Sequence, residues 1–492
     1  MASMVLGAIA MILMGQPQPP PAPNTSDFTE FRAAWVATVA NIDWPSKPGL
    51  SVAQQRAELD AIIHRAAELN LNAIVLQVAP ANCAIFPSSF APWTEYLSGT
   101  QGRAPGPDWD PLEYAIRRSH EKGIELHAWF NPFRSRHATA KSPQTRGHIA
   151  SRNPGINRTY GNQQWLDPGD PVSREHAIAF VVDTVRRYDL DAVHIDDYFY
   201  PYPVRSGNRE IPFPDTTTFA AYQRAGGKLG LADWRRNNVN QFVEEFHRRV
   251  KVAKPWVKVG VSPFGIYRPG IPAGIRGMDQ FSVLYADPRL WLREGWLDYF
   301  APQLYWAIGQ DGQDFGTLLN YWHSENRRNR NIWPGIYTSR LLPGGTYKPD
   351  EIQRQVALVR DSKPGTGVIH FSFKALQQNA QGVASGLKST LYAEPALIPS
   401  SDWLGRRPNA PLLLALEPRG ANAVRATLKW EHEPRWIAAA AFSNGRWRLL
   451  GSKQRTTPSM EWTVTPADSH IAFAAVNRAN QVSEWVVRPI PR

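Results

Sequence analysis

The chain has 492 residues, of which 43 % are hydrophobic and 20 % are charged, a composition typical of a folded globular protein and not of a disordered one. This length exceeds one ordinary domain and predicts two or three. Cys83 is the one cysteine, which excludes an internal disulfide, a thiolate-rich zinc site and a Cys-x-x-Cys redox pair. The net charge of +12 favours an anionic partner. Nucleic acid is not predicted, because no dense Lys/Arg run and no glycine-rich phosphate loop is present.

The N-terminus predicts export. Met4 to Met14 is an apolar run, too short to span a bilayer, and the proline-rich stretch from Gln16 to Pro23 follows it. Residues 1–27 are therefore predicted to be a signal-like segment and linker, although no Lys or Arg precedes the run and no Ala-x-Ala site ends it. No later segment reaches transmembrane length, so no integral span is predicted once this segment is removed, and the predicted location is the periplasm, envelope or exterior.

Residues 28–399 alternate strand-like apolar runs with amphipathic helical stretches. This alternation predicts an α/β fold, a (β/α)₈ TIM barrel. The predicted strands are Arg32–Val39, Ala73–Val78, Ile124–Phe130, Ala192–Asp196, Val257–Pro263, Tyr299–Tyr305, Ile332–Tyr337 and Val368–Phe373; the clearest helical patterns are Ala53–Leu69, Pro111–Lys122, Arg174–Tyr188 and Val239–Ala253.

Residues 405–492 show short alternating stretches without helical spacing. They predict a small C-terminal β-sandwich of immunoglobulin or fibronectin III type that braces the barrel or binds glycan, the brace being favoured. Strands are expected at Leu412–Leu416, Val424–Trp430, Ile437–Phe442, Trp447–Leu450, Met460–Val464 and His470–Val476.

Two adjacent acids, Asp196 and Asp197, end the predicted fourth strand. In a TIM barrel the active site forms at this end of the strands. Side chains alternate along a strand, so Asp196 is expected to point inward, with Asp197 acting as a second acid or as an orienting group. An Asp that only caps a loop is the alternative, which strand-end placement and aromatic neighbours disfavour.

Glycoside cleavage needs two carboxyl groups, one to donate a proton and one to attack or to activate water. Glu95, which lies beside Trp93, is a further catalytic candidate. Asp43 and Asp287 are also candidates, with loop anchoring as their alternative role. None of the three stands ahead of the others.

Polar and aromatic side chains at other strand ends suit a sugar cleft, because aromatic rings stack on the C–H faces of sugars. The predicted substrate-binding residues are Asp43, Trp44, Gln77, Trp93, His127, Asn131, Arg134, His194, Tyr198, Asp287, Gln303, Tyr305 and Trp306, and Ser262 is at a further strand end.

No metal or other cofactor is predicted. His127 and His194 lie on neighbouring strands, but no tight ligand motif such as His-Glu-x-x-His accompanies them. The segment from Asp191 to Tyr198 also differs from the Asp-Gly-x-Asp-x-Asp-x-Glu motif of the large chitinase family, because Tyr198 stands where that family has its proton-donating Glu. That family's substrate-assisted mechanism is therefore disfavoured.

Blocks spread over residues 30 to 375 closely resemble the bacterial glycosyl-hydrolase-like family 10, formerly domain of unknown function 187. The matching blocks are Phe31 to Val39, Asn41 to Pro45, Pro92 to Gly99, His127 to Arg134, Leu166 to Gly169, His194 to Pro201, Val261 to Arg268, Leu284 to Asp287 and Tyr299 to Trp306. The resemblance implies a barrel with a C-terminal β domain, an envelope location and glycan hydrolysis, with peptidoglycan strands freed of their stem peptides as the substrate of one such protein. It implies no secure catalytic pair.

One departure from the family is Cys83-Ala84-Ile85-Phe86, where such proteins usually have Asp-Ala-x-Tyr. A thiol does not replace a carboxylate as an acid, although it packs well when buried. The leading hypothesis is a glycoside hydrolase of cell-envelope polysaccharide, most of all peptidoglycan. The alternatives are a glycan-binding protein without catalysis, which Cys83 favours, and a metal-dependent polysaccharide deacetylase.

Overall fold

The computed structural model describes residues 19–363, 365–454 and 457–491. The apolar run of the predicted signal-like segment, Met4 to Met14, lies outside these residues. Among the described helices, none combines the length and the apolar character that crossing a membrane requires.

A curled parallel sheet forms the centre of the larger region. Its strands are β1 (Phe31–Val36), β2 (Ala73–Ala79), β3 (Glu125–Phe130), β4 (Ala192–Ile195), β5 (Lys258–Val261), β6 (Tyr299–Phe300), β7, which is split into Asn331–Ile332 and Gly335–Ile336, and β8 (Gly367–His370).

The two ends of this sheet meet in β7. Strands β1 to β6 pair in chain order, and β1 also pairs with β8. The first half of β7 pairs with β6 and the second half with β8, on either side of Pro334. The sheet is therefore TIM-barrel-like, as the alternating sequence pattern predicts. We call the end where the strands finish the mouth, and the opposite end the lower end.

Helices cover the outside of the sheet. Four of them match the predicted helical stretches within a few residues, except that the fourth begins earlier than predicted: Val52–Glu68, Pro111–Glu121, Pro171–Arg187 and Leu231–Ala253. Asp110 and Asp170 each cap a helix that begins with proline, the order that helix starts favour. The other helices are Glu95–Ser98, Ile149–Arg152, Thr216–Arg224, Gln280–Val283, Pro288–Glu294, Phe315–Glu325, Glu351–Ser362, Phe373–Gln377 and Val383–Ser389. Short 3₁₀ turns are Thr25–Phe28, Val39–Asn41, Pro154–Ile156, Thr338–Leu341, Ala380–Gly382 and Asp402–Leu404.

Two small antiparallel additions lie on the mouth side. One contains Arg134–Arg136, Asn157–Tyr160 and Gln163–Leu166, and the other is a hairpin of Val204–Ser206 and Arg209–Ile211. They follow β3 and β4 in the chain, so they extend the loops beside Asp196.

The C-terminal region forms two antiparallel sheets that share an apolar cluster. The strands are Leu412–Pro418, Ala423–Lys429, Trp436–Ser443, Arg446–Lys453, Ser459–Thr463, His470–Val476 and Val486–Pro489. The six predicted strands are present, and the seventh was not predicted.

The C-terminal region packs on the lower end of the barrel. Arg435 donates to Asp191, which precedes β4, and Asn480 donates to Glu125 at the start of β3. Trp403 donates to Asp298, which precedes β6. These contacts lie at the end of the barrel opposite the mouth.

Candidate active site

Asp196 and Asp197 directly follow β4, at the mouth. The sequence predicts that they open into an aromatic-walled pocket, but the site is nearly closed: Asp196 is 6 % exposed and Asp197 is 3 % exposed. A cavity of about 520 Å³ lies at the lower end of the barrel, between Thr29, Arg330 and Gln481. The side chains near the two carboxyls that keep some exposed surface include several half-buried aromatic residues.

The Asp196 carboxyl has one occupied oxygen and one unoccupied oxygen. Oδ2 accepts from the Trp129 indole N–H at 3.2 Å and from the Asn131 amide at 2.5 Å. Oδ1 is buried and has no hydrogen-bond partner among the described residues. Burial, and next the charge of Asp197, raise the pKa of Asp196 to about 7. This carboxyl is therefore able to hold a proton near neutral pH.

The Asp197 carboxyl is held by neutral donors. Its Oδ2 accepts from the Tyr202 hydroxyl, and the side chain of Gln303 also bonds to it. Burial raises the pKa of Asp197, while these two bonds and the charge of Arg134 lower it. Two neighbouring carboxyls with different partners are the arrangement in which one can be protonated while the other is ionised.

Aromatic rings surround the two carboxyls. Tyr305 packs against Tyr337 with ring centres 4.9 Å apart and against Phe371 at 5.9 Å. Trp306 packs edge-on against Phe264, and Tyr198 lies 5.7 Å from Tyr202. All seven side chains are partly exposed, so each keeps some aromatic surface that a sugar ring could contact.

Arg134 supplies a positive charge to the site. Its guanidinium lies 4.3 Å from the centre of the Tyr198 ring and donates weakly to the carbonyl of Pro80 at 3.4 Å. Its Nε is buried without a partner among the described residues. No acid neutralises it through a described ion pair, so it acts on Asp196 and Asp197 only from a distance.

Gln77 and Asn131 lie beneath Asp196 and are buried, with exposed fractions of 0 % and 2 %. They were predicted to bind substrate. Their amides bond instead to each other, and through Asn131 to Asp196. The structure thus brings them to the site as supports of the carboxyl.

His127 and His194 are both fully buried inside the barrel. The Tyr299 hydroxyl lies 3.0 Å from Nδ1 of His127 and 2.9 Å from Nδ1 of His194. Nε2 of His127 hydrogen-bonds to Glu125, and Nε2 of His194 accepts from the indole N–H of Trp35. Gly260 makes room for the Tyr299 ring, because a Cβ there would stand 1.9 Å from a ring carbon.

All four imidazole nitrogens are thus engaged, and burial holds the pKa of His194 well below its ordinary value. The histidines predicted to bind substrate are interior supports. Within the described residues, no three His, Cys, Asp or Glu side chains are grouped as a metal site would need.

The three candidates for a second catalytic carboxyl hold loops. Glu95 accepts from the backbone N–H groups of Lys141 and Ser142 at 2.7 and 2.8 Å. Asp287 caps the helix Pro288–Glu294 by accepting from Leu290. These bonds fit the anchoring role that was the alternative for Asp287, and they give Glu95 a structural task as well.

Asp43 joins the ends of β1 and β8. Its oxygens accept from the backbone of Ala37 at 2.8 Å and Lys374 at 2.7 Å, and from the Ser372 hydroxyl at 2.8 Å. Burial raises the pKa of Asp43 to about 6. The carboxyl is committed to three donors, which is the anchoring alternative.

Two of the three tryptophans predicted to bind substrate, Trp44 and Trp93, have no described contact with Asp196 or Asp197. Trp44 is 0 % exposed and donates to the carbonyl of Gln55, so it offers no face to a sugar. Trp93 is half-buried, pairs with Ala84 in an isolated bridge and packs on the core. Cys83 beside it is buried, and burial raises the pKa of its thiol to about 11. The thiol is packed, as expected of a buried cysteine.

Trp129 and Tyr202 contact the carboxyls but were not predicted as site residues. Strand alternation gives a signal for Trp129, because it lies two residues after His127 and two before Asn131 and therefore faces the same way. Tyr202 reaches Asp197 through the shape of a loop, for which the sequence carries no comparable signal.

The chain matches a protein family and several known proteins. A family model described as Glycosyl hydrolase-like 10 matches residues 30–342. The chain is 36 % identical over 449 residues to glycosyl hydrolase YngK of Bacillus subtilis (strain 168), covering 88 % of this chain and 85 % of that protein. It is 32 % identical over 354 residues to glycosyl hydrolase DigH of Escherichia coli (strain K12), covering 67 % and 78 %. Among solved structures, the PgaB glycoside hydrolase domain of Bordetella bronchiseptica gives a TM-score of 0.48 at 14 % identity, covering 73 % of this chain and 98 % of that one.

Proposed function

This chain belongs to the glycosyl hydrolase-like 10 family, and we propose that it is a glycoside hydrolase that cleaves the glycan strands of peptidoglycan. One observation carries the activity. Asp196 combines a pKa raised to about 7 with an unpartnered oxygen, next to a second carboxyl with its own neutral donors. Glycosidases give their two carboxyls different pKa values in this way, so that one serves as an acid and the other as a base near neutral pH.

Asp196 acts as the general acid. Its proton passes to the glycosidic oxygen as the bond from that oxygen to the anomeric carbon breaks, so the leaving sugar departs as an alcohol. Asp197 supplies the second carboxylate, which attacks the anomeric carbon or takes a proton from the attacking water. Tyr202 and Gln303 bond to Asp197, so they hold its carboxylate in position for that step.

The aromatic rings position the sugar. Tyr198, Tyr305 and Trp306 present partly exposed faces beside the two carboxyls, and C–H faces of sugar rings stack on such surfaces. Gln303 contributes a polar group at the same place. This combination favours a polysaccharide over a small polar substrate.

A peptidoglycan substrate and an exported protein fit the charge and the N-terminus. The net charge of +12 attracts an anionic polymer, and peptide-free strands carry the carboxylates of muramic acid. Residues 1–27 have the pattern of a signal-like segment and linker. We assign the C-terminal sheets to an immunoglobulin- or fibronectin III-like brace, because their described contacts are with the lower end of the barrel.

Two alternatives have less support. The hypothesis of a glycan-binding protein without catalysis rested on Cys83, which is buried beside Thr94 and Glu95 and has no described contact with Asp196. A metal-dependent deacetylase needs free histidine nitrogens, whereas those of His127 and His194 are all engaged.

The test incubates the purified protein with glycan strands with and without stem peptides and identifies products by mass spectrometry. We expect soluble fragments with intact acetyl groups. Asp196→Asn should lower turnover by about 10²–10⁴-fold, because the side chain no longer donates a proton. Circular dichroism checks that the variant is folded. Full turnover by this variant, or loss of acetyl groups without chain cleavage, would refute the proposal.

A further inference from the structure

We infer that Gln77 and Asn131 form an amide relay that places the catalytic proton of Asp196 on Oδ1. The inference rests on the proposed function and adds two positioning residues to it. It follows from donor and acceptor chemistry along one chain of hydrogen bonds that starts at the main chain after β1.

The first link fixes Gln77. Its Oε1 lies 2.9 Å from the backbone nitrogen of Thr38 and 2.8 Å from that of Val39. Backbone N–H groups only donate, so the side-chain atom facing them must be the oxygen. The Gln77 amide group therefore has one possible orientation, with its NH₂ directed to Asn131.

The second link fixes Asn131. Its Oδ1 accepts from Nε2 of Gln77 at 2.6 Å, so its own NH₂ must face Asp196. That NH₂ lies 2.5 Å from Oδ2 of Asp196, and the Trp129 indole N–H reaches the same oxygen. Neither donor is able to accept a hydrogen bond.

A proton on Oδ2 would therefore point at N–H groups. The proton is stable only on Oδ1, the oxygen that is buried without a partner among the described residues. This is the oxygen left for a glycosidic oxygen to approach. The relay thus orients the acid without touching the substrate.

The relay also influences the pKa of Asp196. The Asn131 bond favours the carboxylate and lowers the pKa of Asp196 against the larger effect of burial. Reversing the polarity of this bond should raise that pKa and draw the proton to Oδ2. Both changes would alter the dependence of kcat on pH. A purely structural defect would lower kcat without moving the limbs of that profile.

The test substitution is Asn131→Asp. Gln77 still has an oxygen to donate to, but a second oxygen now faces Oδ2 of Asp196, and a proton is drawn between them. On peptide-free glycan strands we expect kcat at pH 7 to fall about 10–100-fold. The alkaline limb of the kcat profile should move up by about one pH unit or more.

Asn72→Asp is the matched control. Asn72 is a buried amide at the other end of β2, where it accepts from the backbone of Arg32 and donates to the carbonyls of Glu30 and Ala396. The same substitution there should lower the Tm and leave the pH profile at the wild-type position.

Gln77→Leu covers the case in which Asn131→Asp does not fold. It frees the Asn131 amide to rotate, and we expect an upward shift of the alkaline limb of about half a unit. Wild-type limbs in both variants, with Asp196→Asn inactive, would overturn the relay and leave the hydrolase intact. An active Asp196→Asn would instead overturn the hydrolase proposal.

Discussion

Strand β4 has a buried carboxyl at each end, and the two carboxyls differ in their chemistry. Asp191 at the lower end is 5 % exposed, and Asp196 at the mouth is 6 % exposed. Burial alone would raise both pKa values. At Asp191 the charge of Arg435 and the bond to His120 outweigh burial and hold the pKa well below its ordinary value. At Asp196 burial wins and the pKa is about 7.

The difference lies in the partners, since burial is the same. Asp191 accepts from Arg435 at 2.8 Å, from His120 at 2.8 Å and from the backbone of Leu126 at 2.9 Å. Asp196 has only neutral donors and the distant Arg134. One strand thus carries a permanently charged anchor at one end and an acid at the other. A buried carboxyl becomes a candidate acid where no cation reaches it.

The largest expected effect comes from removing the cation that binds Asp191 at the lower end of β4. Arg435→Met leaves Asp191 charged and buried without its cation, which should cost about 3–5 kcal/mol of unfolding free energy. Urea unfolding measures the loss, and kcat on glycan strands should stay within about twofold because the mouth is untouched. A loss below about 1 kcal/mol would contradict the claim that Asp191, unlike Asp196, depends on a buried cation.

Asp196→Asn should have a smaller effect of opposite sign. The pKa of Asp196 in the folded protein, about 7, lies above its ordinary value of 3.8, so its stabilising contribution is full below pH 3.8 and is lost as pH rises through 7. An Asn at this position cannot ionise. We therefore expect Tm values that agree at pH 4 and that favour the variant by about 2–4 °C at pH 8. A variant that is less stable than the wild type at pH 8 would contradict the raised pKa of Asp196.

The smallest effect belongs to Arg478, which forms an ion pair at 2.7 Å with Asp189, a residue that also pairs with Arg435. Here both side chains are partly exposed, 36 % and 45 %, so water screens the pair. Arg478→Ala should cost less than about 1 kcal/mol in the same urea experiment. A cost equal to that of Arg435→Met would mean that burial does not govern the strength of these pairs.

The sequence predicted the sheet well because buried strands leave a strong apolar signal. The prediction Ala73–Val78 differs from the observed Ala73–Ala79 by one residue. The predicted strand Ile332–Tyr337 is instead two short pieces, because Pro334 has no N–H to pair. The hairpin Val204–Ser206 with Arg209–Ile211 was missed, since these exposed residues show no apolar alternation.

The site was predictable only in part. Asp196 followed from its strand-end position, and Trp129 could have followed from alternation with Asn131. The tasks of Glu95, Asp43 and Gln77 depend on backbone N–H groups from distant segments, at Lys141, Lys374 and Thr38. Residue identity does not reveal which oxygen meets which N–H, so a sugar contact and a loop anchor look alike in sequence.

The first described residues are fastened to the C-terminal sheets. The indole of Trp447 donates to the carbonyl of Pro21, and that of Trp485 donates to the Thr25 hydroxyl. Those sheets sit under the lower end of the barrel, so the polypeptide enters the molecule opposite the mouth. A group attached at residue 19 would therefore lie on the side of the molecule away from Asp196 and Asp197.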